Sequence, residues 1–244
     1  TKINGGHFGI DRRLGNNQVG VAISYSNGSA DFNRFAGKYK SDSVGLSLYG
    51  KKYLENNNYI LSRIGITNFD TEVNRSLLAQ DGSLQNGKIK HNDIMYSTYL
   101  ELGKDFKYIT PYAGFSLDIL DRKGFDENNV SWGITAKNKT YMQQNIILGL
   151  RSDYKINENL KFTSHINQQI NIGNRDLSFK GKFNNSSTEH TFKGINQIKN
   201  TTWIGTGIEK SFSENFGVGI NLDIRFDEFK KADSILSTNL YYRF

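Results

Sequence analysis

Hydrophobic residues in this chain recur at every second position, in runs broken by polar stretches, which is the period of an extended strand with one apolar face. Val19, Val21, Ile23 and Tyr25 alternate with Gly20, Ala22 and Ser24. Leu160, Phe162, Ile166, Ile170 and Ile172 oppose Lys161, Thr163, His165, Asn167, Gln169 and Asn171. At the C-terminus Leu236, Leu240, Tyr242 and Phe244 fall on one side of an extended chain, and Ser237, Asn239, Tyr241 and Arg243 on the other. No segment sustains a 3.6-residue apolar period, so no helix is predicted.

Read this way, strands are expected over 3–13, 19–25, 44–50, 59–69, 94–102, 109–120, 142–155, 160–172, 201–212, 216–226 and 234–244. The single Pro, Pro111, sits near the start of its strand, where a missing ladder donor is tolerated. The connections alternate. Short turns at 14–17, 54–58, 105–108, 156–159 and 213–215 alternate with long polar loops at 28–42, 73–91, 122–140, 173–200 and 227–233. An up-and-down transmembrane barrel has this plan, whereas a Greek-key sandwich does not.

The two strand faces differ in a way that bears on the choice between a soluble β protein and a membrane barrel. One carries Val, Ile, Leu, Phe and Tyr. The other carries Gly together with Asp11, Arg63, Glu101, Asp118, Arg151, Asp153, Glu209, Asp223 and Arg225. Charges of both signs on one wall imply a wet lumen in which they pair or hydrate, and a soluble barrel would reverse the faces.

Composition permits this architecture. The 244 residues are 36% hydrophobic with a mean hydropathy of −0.57, and no apolar run approaches the roughly 20 residues that a membrane helix needs. A barrel strand needs only about 9 to 11 alternating residues. Cysteine is absent, which suits an oxidising compartment. No secretory signal stands at Thr1, so the barrel reading expects a mature or excised portion of an exported protein.

The net charge of +7 brings nucleic acid to mind, but its distribution points elsewhere. Lys38, Lys40, Lys88, Lys90, Lys137, Lys139, Lys180, Lys182, Lys193, Lys230 and Lys231 all fall in the long connections. There they would face the anionic phosphates of lipopolysaccharide, or simply water. The four His, at 7, 91, 165 and 190, have no metal-ligand spacing, and Gly-x-Ser-x-Gly is absent, so neither a metal nor a cofactor is expected and the reading is not an enzyme. His190 beside Glu189 and His91 beside Asp93 imitate the rim sites of omptin-like barrel hydrolases, as loops of this length often do.

Two sets of residues resemble known sequences. Ser237, Asn239, Leu240, Tyr242 and Phe244 resemble the C-terminal assembly signal of bacterial outer-membrane barrels, with Asn239 standing where that pattern prefers Gly. Gly9-Ile10-Asp11-Arg12-Arg13-Leu14, the run from Val19 to Gly28, and Leu46-Ser47-Leu48-Tyr49-Gly50-Lys51-Lys52-Tyr53-Leu54 with Asn58-Tyr59-Ile60 resemble the translocator domain of monomeric autotransporters, type Va secretion. The resemblance implies a twelve-strand antiparallel barrel, integral to the outer membrane and monomeric, of which this chain supplies eleven strands. The first strand and a lumen-spanning helix would lie upstream of Thr1. It also implies export of an N-terminal passenger, contact with membrane lipid and lipopolysaccharide, and insertion by the barrel-assembly machinery. In some members a lumen acid polarises an Asn of that helix, for which Glu101, Asp118, Asp153, Glu209 and Asp223 have the right parity. A porin-type or adhesin-type barrel without a passenger is the alternative.

Overall fold

A computed structural model describes residues 1–32, 37–79, 81–127 and 130–242. Its strands, in chain order, are β1 (Lys2–Leu14), β2 (Asn17–Phe32), β3 (Gly37–Tyr53), β4 (Asn58–Leu78), β5 (Leu84–Lys104), β6 (Thr110–Arg122), β7 (Phe125–Asp126), β8 (Ile134–Ala136), β9 (Lys139–Asn157), β10 (Leu160–Asn171), β11 (Phe179–Phe183), β12 (His190–Phe192), β13 (Asn200–Ser211), β14 (Phe216–Asp227) and β15 (Ala232–Tyr242). Eleven of them form one antiparallel sheet in the order β1-β2-β3-β4-β5-β6-β9-β10-β13-β14-β15. These are the eleven strands that the alternation predicts. Among the described residues the only helical element is a 3₁₀ turn at Glu55–Asn57.

The long polar connections differ from expectation. Stretches 28–42 and 73–91 are largely strand: β2 and β3 pair out to Phe32 and Gly37, and β4 and β5 pair from Asn58 and Lys104 to Leu78 and Leu84. A ladder closes its backbone bonds whatever its side chains are, so a strand polar on both faces leaves no periodicity to read. Of the other three, 122–140 and 173–200 hold β7, β8, β11 and β12, which form a second sheet in the order β12-β11-β8-β7.

Side-chain reach identifies the concave face of the large sheet. Arg151 on β9 donates to Glu101 on β5 (2.6 and 2.7 Å) and to the Tyr59 hydroxyl on β4 (3.2 Å). Three strand spacings separate β4 from β9, about 14 Å along a flat sheet, and side chains close that gap only where the sheet curls toward them. The interior of this half-barrel therefore holds Tyr59, Glu101, Tyr112 and Asn145, all buried.

The opposite face is apolar and uncovered. Ile64, Ile66, Leu100, Leu102, Leu148, Leu150, Ile220 and Leu222 are exposed on it. Along β5 this outward row is largely apolar from Leu102 to Ile94 and then turns polar at Asn92, Lys90 and Lys88. Along β4 it turns at Asn68, Asp70 and Glu72. The apolar belt is thus close to the 9 to 11 residues of a tilted membrane strand, and the remainder of β4 and β5 projects past it.

Tyrosines on the concave face lie flat against glycines of the neighbouring strand. A Cβ added at Gly20 would meet the Tyr49 ring at 2.5 Å, one at Gly103 the Tyr59 ring at 2.3 Å, and one at Gly149 the Tyr112 ring at 2.3 Å. The Tyr112 ring is also held by Arg151, whose guanidinium lies 3.9 Å from its centroid. Gly149→Ala should therefore cost about 1 to 3 kcal/mol of overpacking in a denaturant titration of the detergent-folded protein. Gly6→Ala, with nothing within 4 Å of the new methyl, should cost much less. Equal midpoints for the two variants would show that the ring simply moves aside.

Candidate functional site: the concave wall and the closing edges

Register places Asp11, Arg63, Glu101, Asp118, Arg151, Asp153, Glu209, Asp223 and Arg225 as follows. Asp11 lies opposite Gly20, Gly20 opposite Tyr49, Tyr49 opposite Arg63 and Arg63 opposite Tyr99. Asp118 lies opposite Ser97 and Gln143, and Arg151 opposite Thr110 and His165. Asp153 is opposite Thr163, Glu209 opposite Lys161 and Gly219, Asp223 opposite Gly205, and Arg225 opposite Trp203.

Their surroundings differ. Glu101 is fully buried and accepts from Tyr59 (2.8 Å), from Tyr99, and from both terminal nitrogens of Arg151. A bidentate guanidinium with two phenols fills the acceptor sites of a carboxylate, so this group is held in place rather than left free for proton transfer. Asp11 accepts from Gln18 (2.7 Å) and Tyr49 (3.0 Å). Glu209 pairs with Lys161 at 2.9 Å, Asp223 with His165 at 3.3 Å, and Arg225 with Asp233 while also lying 5.9 Å from the Trp203 ring. Arg63, Asp118 and Asp153 form no salt bridge among the described residues, and Arg63 and Asp153 are exposed. The tyrosines that complete the Glu101 site were not read from the sequence. Their signal was present, since Tyr59, Tyr99 and Tyr112 have the parity of the charged face.

Of the two histidine and acid neighbours, His91 and Asp93 come together, with Nδ1 2.8 Å from Oδ1 and the His91 ring stacked on Phe125, while Glu189 is engaged by Lys137 and Lys180. Among the described residues no group of three His, Cys, Asp or Glu is arranged to hold a metal.

The two ends of the sheet form the second part of the site. β1 pairs only with β2 and β15 only with β14 among the described residues. The space between these edges and within the curl is about 3720 Å³. Of the C-terminal signal residues, Ser237 faces inward opposite Asn221 and Asn239 inward opposite Gly219, whereas Leu240 and Tyr242 face outward, exposed, opposite Val218 and Phe216. The next residue, Tyr241, lays its ring on Gly217. Phe244 and Arg243 lie outside the described residues.

A curled antiparallel sheet with a polar inner wall, an apolar outer belt and short turns at one end is the geometry of an outer-membrane barrel. The family model for the autotransporter β-domain matches residues 1–223. The chain belongs to the autotransporter β-domain family. It resembles the solved translocator domain of the autotransporter NalP from Neisseria meningitidis at a TM-score of 0.81 and 13% identity, over 99% of this chain and 80% of that one. The β-domain of the Bordetella autotransporter BrkA matches at a TM-score of 0.64 and 14% identity, over 99% of this chain and 91% of that one. The transport unit of AIDA-I from Escherichia coli matches at 0.58 and 14%, over 99% and 81%. No curated protein sequence matches.

As an autotransporter β-domain, the chain is an integral outer-membrane barrel that mediates export of an N-terminal passenger. Domains of this family are transport barrels. In such a barrel the Glu101 cluster ties β4, β5 and β9 together inside the wall. Arg151→Met should leave the Glu101 carboxylate buried against two phenols only, at a cost of about 3 kcal/mol. The double variant Arg151→Met with Glu101→Gln should recover much of that loss in urea unfolding from lipid vesicles. Additive losses would show that the two side chains do not act as a pair.

Proposed function

We propose that this chain is a type Va translocator whose barrel is completed by one further strand from the upstream part of its own polypeptide. The observation that carries this reading is the pair of edges. With ten antiparallel pairings between them, β1 and β15 run in the same direction, so closing one directly on the other would be parallel. Single-chain bacterial barrels have an even number of antiparallel strands, and one added strand satisfies both requirements. A lumen helix leading to the passenger would then run past the inner wall, where Arg63, Asp118 and Asp153, which form no salt bridge among the described residues, are placed to meet it. The barrel works as a monomer and performs no catalysis of its own, in keeping with a Glu101 already saturated by donors.

The remaining partners follow from the outer surface. The belt of Ile, Leu and Val meets lipid, the lysines of the long connections meet lipopolysaccharide phosphates, and Ser237, Asn239, Leu240, Tyr242 and Phe244 present the C-terminal signal to the barrel-assembly machinery.

Refolding into lipid vesicles tests the closure. Residues 1–244 alone should not give the compact, heat-modifiable band of a closed barrel in detergent electrophoresis, and the same chain with its upstream segment should. A compact band from residues 1–244 alone would overturn the added strand. A separate measurement addresses assembly: a chain ending at Arg243 should reach the outer membrane at a few per cent of the normal level, yet refold in detergent with unchanged stability. Normal membrane levels would remove Phe244 from the signal.

A further inference from the structure

The four-stranded sheet built from the connections after β6 and β10 touches the large sheet only in a particular way. Among the described residues, its contacts with the projecting strands are to side chains of concave parity. Ser131 N–H donates to Gln85 Oε1 (2.8 Å), Lys123 N–H to Asp93 Oδ1 (3.0 Å), and the Phe125 ring stacks on His91 at 5.9 Å. On the next strands, Arg122 lies 4.8 Å from the Phe179 ring, the Tyr141 hydroxyl reaches the carbonyls of Leu177 and Ser178 at 3.5 Å, and Asn171 donates to Gln197 at 3.0 Å. Gln85, His91 and Asp93 on β5, Arg122 on β6, Tyr141 on β9 and Asn171 on β10 all share the face of Glu101. Loops splayed away from the barrel would touch the outward row instead. This sheet leans inward, across the mouth of the lumen on the side away from the short turns.

The cap has its own core and one built attachment. Phe179 stacks on Phe192 at 5.1 Å and meets Phe125 edge-on at 6.1 Å, and Phe183 meets Phe192 at 5.6 Å. Glu127 leaves the cap and is fully buried against the large sheet. Arg75 of β4 donates to it through Nε (2.9 Å) and Nη2, and Ile134 N–H donates at 3.2 Å. The carboxylate fits there because residue 87 is Gly: a Cβ at that position would lie 2.0 Å from Glu127 Oε1. A buried carboxylate with a matched guanidinium and a space left for it is a latch, since removing either partner strands a charge out of water.

We propose that residues 123–127, 130–138 and 173–199 form a lid over the external mouth of the barrel, latched shut by Glu127 against Arg75 and Gly87, so that solute reaches the lumen from outside only when the lid opens. The inference rests on the membership above for the assignment of this end to the cell exterior, and on the geometry just given for the lid itself. Access to Asp118, which lies on the inner wall four residues before Arg122 on the same face of β6, measures it. Residues 1–244 contain no cysteine, so Asp118→Cys provides the single thiol of this domain.

On intact cells displaying the whole protein, a bulky membrane-impermeant maleimide should label Asp118→Cys slowly, and about tenfold faster when Glu127→Gln is added, as expected when a latched segment opens more often. Arg75→Gln should have the same effect, with the barrel still heat-modifiable. A thiol at exposed Ser187 should label fast in every background, and failure there would overturn the outward assignment that the lid requires. Fast labelling of Asp118→Cys with the latch intact would show an open mouth, and slow labelling unaffected by either latch variant would show that the ion pair does not control access. Either result overturns the proposal.

Discussion

The architecture depends on one constraint: within hydrocarbon every backbone N–H and C=O must find a partner in the protein. A sheet meets that demand along its whole interior and fails only at its two edges. For this chain the edges are β1 and β15, and they run parallel to each other. Much else follows from sealing a sheet into a cylinder. Side chains on the inner face converge and those on the outer face spread, so the inner face needs small residues where rings must fit. Glycines opposite Tyr49, Tyr59 and Tyr112 meet that need. The outer face can carry large aliphatic residues at every position because lipid fills around them.

The inner wall is held by polar chemistry because it cannot be held by a hydrophobic core. Few apolar side chains are buried anywhere in the described structure, and the fully buried set includes Glu101 and Asn145. An ion pair with every donor used is an effective tie in such a place, since its geometry is directional and its rupture costs more than loss of an apolar contact of similar size. Arg151 does this for three strands at once, because it bonds Glu101 and Tyr59 while lying on Tyr112.

Most of this was legible in the sequence. The period of two, applied to Val19 to Tyr25 or Leu160 to Ile172, places strands and faces together, so the nine charges emerge on one wall from parity alone. Legibility ended where apolar periodicity ended. Residues 70–78 and 84–92 pair as regularly as any others, yet Asp70, Glu72 and Asn74 on one face and Thr71, Val73 and Arg75 on the other carry no contrast for a reader to detect. The cap was hidden for a different reason. Its strands are two to five residues long and are joined by contacts between connections far apart in sequence, as between Phe179 and Phe125, which no local pattern encodes.

The projecting part of the sheet carries an inward-leaning cap for a physical reason of the same kind. Above the membrane belt the strands leave the lipid, and their outer face becomes polar at Asn68 and Asn92 because water now covers it. Their inner face meets neither lipid nor the ties of the lower wall. Ile89 and Thr71 point there, and both are buried, which a strand pair standing alone in solvent would not achieve. Covering that face with a second sheet removes apolar surface from water and gives Arg75 a carboxylate in place of an open solvent position. The lid and the long strands are therefore parts of one solution: strands extended past the membrane require a partner on their concave side, and the partner that the chain supplies lies across the opening.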